Sequence, residues 1–171
     1  MIEQITIPET VTQIMDFAFF NCSMLRDLSL SRYLESIGES AFCGCTALQV
    51  IDLPQALQKI GPSAFEGCTG LTSVTLPQGV KQIGANAFSG CTALTAITIP
   101  DSVIELGNAA FSECSALTDV QLPEHIPDMQ YKSIKYMHCY VTEKTESMEQ
   151  LKDVVFMGTK WLKDTSIDRM A

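Results

Sequence analysis

The chain has 171 residues, 46% of them hydrophobic, enough apolar mass to bury the core of one ordinary domain. Its net charge of −9 lies in residues 1–126, where 13 acidic side chains face four basic ones (Arg26, Arg32, Lys59, Lys81). An acidic body without a basic stripe is repelled by phosphate backbones, which argues against nucleic acid as a partner, and no apolar run approaches the ~20 residues of a membrane span, so no membrane insertion is expected.

Leu25, Leu48, Leu71, Leu94 and Leu117 recur at an interval of 23 residues, with Ile2 in the same slot at the start. Phe19, Phe42, Phe65, Phe88 and Phe111 keep that interval, as do Cys22, Cys45, Cys68, Cys91 and Cys114, and Ala18, Ala41, Ala64, Ala87 and Ala110. Glycine recurs from Gly38 to Gly107 and proline from Pro54 to Pro123. So many independent columns in one register define a tandem repeat. The expected organisation is a repeat array over residues 2–126, with five full repeats and the start of a sixth. Residues 127–171 would form a degenerate last coil and a helical C-terminal cap.

The first coil departs most from the columns. Met15 stands where later coils have glycine, and Phe17 where they have Ser40, Ser63, Asn86 and Ala109. Phe20 stands where they have Cys43, Glu66, Ser89 and Ser112, so two aromatics occupy positions otherwise read as solvent-facing. The array begins at the leucine slot with no polar cap before it, although terminal repeats normally carry one. The preferred reading is that the aromatics fold over the open core. The alternative is that this end meets a second copy, in a homodimer through the N-terminal coil, or an upstream segment. Phe17 and Phe20 are the candidate self-association residues.

The internal coils are regular, and residues 71–93 serve for all of them. Val74 and Leu76 alternate with Ser73 and Thr75, the period-two pattern of a half-buried strand. Pro77 cannot donate to a ladder and ends it. Val80 and Ile83 point inward from a second extended segment. Gly84 is read as the residue that lets the chain turn, and Ala87-Phe88 with Cys91 and Leu94 as a tight helical turn with one face inward. Each coil directs about eight side chains inward, and ordering its backbone costs roughly 1–2 kcal/mol per residue. One coil cannot bury enough to offset that, so the coils must stack.

Past Leu117, Val120, Leu122 and Ile126, the register puts Met129, Ile134, Met137 and Tyr140 in the Ile, Phe, Cys and Leu slots of a distorted sixth coil. Ser147 and Gln150 make a capping box, and Leu151, Val155, Gly158 and Leu162 follow helical spacing. This predicts a helix over 147–163 closing the C-terminal end of the core, with Val154-Val155-Phe156 as a strand the alternative.

The pattern L-x-x-V-x-L-P-x-x-V-x-x-I-G-x-x-A-F-x-x-C-x-x, held from residue 2 to about 126, resembles the BspA-type leucine-rich repeat. The resemblance implies a leucine-rich-repeat solenoid, a right-handed coil of short parallel strands with tight turns and a strand ladder on one face. It also implies the role of the family's characterised members, adhesins or other protein-binding molecules of bacterial surfaces.

Seven cysteines invite a disulfide or zinc reading. The five in the repeat column point in parallel from coils ~4.8 Å apart, wider than the ~3.8 Å between Cβ atoms that a disulfide favours. Zinc sites prefer short paired spacings. The column is therefore read as buried thiols packing as small hydrophobes. Cys43, in a column of mixed residues, is read as an accessible thiol. His125 and His138, the two histidines, lie in no nucleophile, zinc or acid–base motif. No catalytic, cofactor or metal site is expected, and the chain is read as a binding scaffold rather than an enzyme.

The default binding surface of such an array is its exposed strand face. The candidate residues there are Arg26, Asp27, Ser29, Gln49, Asp52, Thr72, Ser73, Thr75, Thr95, Thr98 and Asp119, mostly small and hydroxylic. Arg26 alone belongs to a usual hot-spot type. Six such strands present roughly 300 Å², short of the about 800 Å² per partner of a standard interface. Edges and turns must contribute, or the Thr and Ser ladders are simply good strand formers. The ligand is expected to be a protein. The family resemblance favours a surface or secreted adhesion module. The native Met start, the lack of an export signal and the seven thiols favour an intracellular interaction scaffold.

Overall fold

Each repeat lays down two short strands and a bonded turn, and successive coils stack in parallel. The computed structural model describes residues 2–123, so the expected sixth coil beyond its first strand, the helix over 147–163 and both histidines lie outside the described residues. The first strand of each coil is β1 (Gln4–Thr6), β3 (Asp27–Ser29), β5 (Val50–Asp52), β7 (Ser73–Thr75), β9 (Ala96–Thr98) and β11 (Asp119–Gln121). The second is β2 (Gln13–Ile14), β4 (Ser36–Ile37), β6 (Lys59–Ile60), β8 (Gln82–Ile83) and β10 (Glu105–Leu106). Partners are offset by one repeat, Ile51 beside Val74 and Ile60 beside Ile83, which is why the sequence columns align.

The strand ladder expected on the first face is present in pairs, β1–β3, β5–β7 and β9–β11, whereas the second strands form one five-stranded parallel sheet. A further ladder runs along the turns. Ser63, Phe65 and Gly67 donate their N–H groups to the carbonyls of Ala85, Ala87 and Ser89 at 2.8, 2.7 and 2.8 Å. It continues between coils whose first strands do not pair, as in Phe42 N–H to Ala64 O at 2.8 Å and Phe88 N–H to Ala110 O at 2.7 Å. Coil spacing is therefore set at the second sheet and the turns, and the first strands can lose bonds without breaking the stack.

Inside, the inward columns pack as the periodicity requires. Leu48, Phe65, Val80, Ala87, Cys91 and Leu117 are all fully buried. The phenylalanine rings form a continuous stack from Phe19 to Phe111, with centroids 5.1–5.3 Å apart and planes within 13° of parallel.

The turn differs from its expected form. Its i→i+3 bonds are present, Ser89 N–H to Asn86 O at 3.0 Å and Cys91 N–H to Phe88 O at 3.2 Å. Asn86 at φ 56° and Gly90 at φ 71° are both left-handed, however. Two such residues per coil stop a right-handed helix from propagating, and among the described residues no helix forms. The first left-handed column is Phe17, Ser40, Ser63, Asn86 and Ala109. The second is Asn21, Gly44, Gly67, Gly90 and Glu113. Gly84, the repeated glycine expected to make the turn, is in neither column. An added Cβ there would lie 2.5 Å from the carbonyl carbon of Gly61, so the column is glycine because neighbouring backbones approach too closely for a side chain.

Glu113, at φ 58°, occupies the column that three coils fill with glycine. A left-handed non-glycine residue costs about 1–2 kcal/mol, part of which glycine gives back in entropy. Glu113→Gly should therefore gain about 0.5–1 kcal/mol, read as a higher urea midpoint at unchanged slope.

Candidate functional site

All eleven candidate residues of the first strand face are exposed, and the register sets them in rows. Gln4 lies beside Asp27, Asp52 beside Thr75, and Thr98 beside Gln121. Part of the polar capacity is spent within the scaffold. Thr72 Oγ1 donates to Gln49 O at 3.1 Å, Thr118 Oγ1 to Thr95 O at 3.5 Å, and Thr98 Oγ1 to Gln121 Oε1 at 3.3 Å. These threonines brace neighbouring coils, and the face keeps Arg26, the aspartates and an exposed Val50 for outside contacts.

Two further surfaces lie away from the first strands, where the strand pattern of the sequence does not mark them. The outer side of the second sheet carries a shallow depression lined by Glu35, Gln58, Lys59, Lys81, Gln82 and Ile104. It gathers both lysines of the acidic body. The other surface is the corner after β3. Coils 1 and 3 to 6 have proline there, and coil 2 has Ser31. Ser31 is fully buried, and its hydroxyl donates to Glu9 O at 3.4 Å and accepts from Tyr33 N–H at 3.1 Å. The substitution of serine for proline was the available signal.

On the first coil, Phe17 and Phe20 do not fold over the open core. They are 53% and 47% exposed and meet edge to face at 5.9 Å. Phe17 is left-handed at φ 58°, and both lie on the outer turn. The ring that ends the internal stack is Phe19, 5.1 Å from Phe42. Ile2 and Met15 are also exposed, so this coil presents four large apolar side chains.

The thiols of the repeat column have a defined role in packing. Cys45, Cys68, Cys91 and Cys114 are free, and each donates its S–H to the phenylalanine carbonyl of the preceding coil, Phe19, Phe42, Phe65 and Phe88, at 3.1–3.3 Å. Burial, ahead of the neighbouring thiols, pushes Cys45 up to about 12, and burial likewise pushes Cys114 up to about 12. Burial raises Cys68 and Cys91 as well. Cys43 is partly exposed and raised by burial and then by Glu66. Thiols held protonated are poor nucleophiles and poor metal ligands. No group of three or more His, Cys, Asp or Glu side chains among the described residues is placed to hold a metal.

The raised thiols fix the sign of an alkaline effect. Folding favours the protonated form, so its contribution is complete below the ordinary thiol value of 9.0 and is lost as pH rises toward about 12. The melting temperature should fall through that window, and the Cys45→Ala/Cys114→Ala double variant should show a shallower fall from its lower starting point.

Comparison with known proteins agrees with this architecture. The profile of the BspA type leucine rich repeat region matches in six copies, over residues 1–91 and 35–163. No curated protein matches the chain. Among solved structures, a leucine-rich repeat protein of T. pallidum is 27% identical, with a TM-score of 0.66 over 73% of this chain and 72% of that one. A leucine-rich repeat protein from Bacteroides ovatus is 30% identical, with a TM-score of 0.55 over 71% of this chain and 38% of its own. The pneumococcal vaccine antigen PcpA is 28% identical, with a TM-score of 0.57 over 70% of this chain and 28% of its own. The chain thus matches well under half the length of the latter two.

Proposed function

The chain belongs to the BspA-type leucine-rich repeat family, and on that premise we propose that it is a protein-binding scaffold displayed on a bacterial surface or secreted, docking its partner on the first strand face. The observation that carries this reading is the row of exposed side chains from Arg26 to Asp119, set in register on a fully packed stack. Rigid presentation lowers the ordering cost of binding, which is what a repeat array contributes to recognition. Binding rather than catalysis is the reading supported by the repeat thiols, since Cys68 and Cys91 donate to backbone carbonyls and burial holds Cys45 and Cys114 protonated. The surface role is supported by the likeness to a vaccine antigen, a use that suits a protein antibodies can reach.

Intracellular scaffolding is the second reading, favoured by six free cysteines among the described residues. Protease treatment of intact source cells, followed by immunoblotting, separates the two. Loss of this protein while a cytosolic control survives is the expected result. Survival of both would place it inside and transfer the search to intracellular partners.

A further inference from the structure

The first strand face is too small and too short of anchoring side chains to hold a partner alone, so the anchor should be sought at its edges. Coil 2 departs from the others there. The residues equivalent to Arg32 and Tyr33 are Glu9 and Thr10, Gln55 and Ala56, Gln78 and Gly79, Asp101 and Ser102, and Glu124 and His125. Only coil 2 offers an arginine and an aromatic together, and both residue types are enriched among interface hot spots.

The pair is held in place before any partner arrives. Buried Ser31 accepts the Tyr33 N–H at 3.1 Å. The Glu9 carboxylate accepts the Arg32 backbone N–H at 3.2 Å, and its same oxygen lies 3.3 Å from Arg32 Nε. The guanidinium sits 5.1 Å over the Tyr33 ring. Despite these contacts the Arg32 side chain is 72% exposed and Tyr33 53%. Arginine is a planar fork with five N–H donors. With Nε turned to Glu9, the two outer amino groups remain for a second acceptor, and their parallel N–H bonds match a carboxylate. Arg26 lies at the other end of β3 on the same coil, so both arginines of the described residues bracket one strand. A large exposed aromatic stiffened by a cation and backbone bonds loses little freedom on binding.

We propose that the Arg32–Tyr33 corner is the anchor of the binding face, and that it takes an aspartate or glutamate side chain of a partner protein on the outer edge of the guanidinium, with an apolar neighbour against the tyrosine. The inference rests on the protein-binding reading above and names the chemistry of the partner at its tightest point. Glu9 supplies the geometry and the incoming carboxylate supplies the specificity.

The probe is a phage-displayed library of short random peptides, selected on the immobilised full chain and counter-selected on the heat-unfolded chain. Retained peptides should carry an acidic residue beside an apolar one. They should bind Arg32→Gln and Tyr33→Ala about tenfold or more weakly. Arg32→Lys should also fail to hold them, since an ammonium lacks the fork. Unchanged circular-dichroism melting of the three variants separates lost binding from lost folding. Peptides that bind all three variants as well as the native chain, or Arg32→Lys undiminished, overturn the anchor while leaving the protein-binding reading in place. A library that yields no peptide specific for the folded chain counts against that reading, and the anchor falls with it.

Discussion

Replacing Phe88 with alanine should cost about 3–5 kcal/mol of stability and lower the melting temperature by roughly 10 °C. The side chain is fully buried between two rings, 5.2 Å from Phe65 and 5.3 Å from Phe111. Truncation leaves a void with an aromatic face on each side. The coils cannot close it, because their spacing is held by the Phe65 N–H to Ala87 O and Phe88 N–H to Ala110 O bonds, each 2.7 Å. In a stack where each coil contacts only its neighbours, a weakened central junction also uncouples the two halves, so the transition should broaden. Phe19→Ala removes a ring with a partner on one side only and should cost less. Ser73→Ala and Thr98→Ala, on the exposed face, should stay within about 0.5 kcal/mol. A wild-type melting curve for Phe88→Ala would contradict the role of the ring column as the spine of the core.

The columns that could be read from sequence are those where burial restricts residue type. Leucine, isoleucine, phenylalanine and cysteine slots repeat because an inward position facing two neighbouring coils tolerates little else, and the structure buries them. Backbone conformation leaves a weaker trace. Ser63, Asn86 and Ala109 share a left-handed φ, yet their types vary, so the column read as an ordinary surface position and the turn as helical. Glycine is ambiguous in another way. At Gly67 it serves a φ of 68°, and at Gly84 it serves the absence of a Cβ, and the letter is the same. The strand face was legible as exposed but not as a binding site, because a solvated position constrains its residue only through a partner that the sequence does not contain. At the Arg32–Tyr33 corner the departure was visible as serine in place of proline. Its meaning depended on where the Ser31 hydroxyl and the Glu9 carboxylate lie.

The two kinds of glycine can be separated by experiment. Gly84→Ala should destabilise the protein by about 3 kcal/mol, because the new Cβ would fall 2.5 Å from the carbonyl carbon of Gly61 and 2.7 Å from Pro62 Cα. Those atoms belong to backbone that carries the inter-coil bond from Gly84 N–H to Ile60 O, 2.8 Å long, so nothing there is the loose end of a side chain that could swing away. Relief would require the coils to part, which the five-stranded sheet on one side and the turn ladder on the other resist. Gly67→Ala faces a different obstacle. Nothing lies within 4 Å of its added Cβ, and its cost is the left-handed conformation alone, about 1 kcal/mol after alanine's entropic advantage over glycine is counted. Urea denaturation of the two variants should therefore rank Gly84→Ala well below Gly67→Ala. The reverse order would mean that the coils can separate at Gly84 at little cost, and that the close backbone approach does not set the spacing on which the ring stack and the thiol–carbonyl bonds depend.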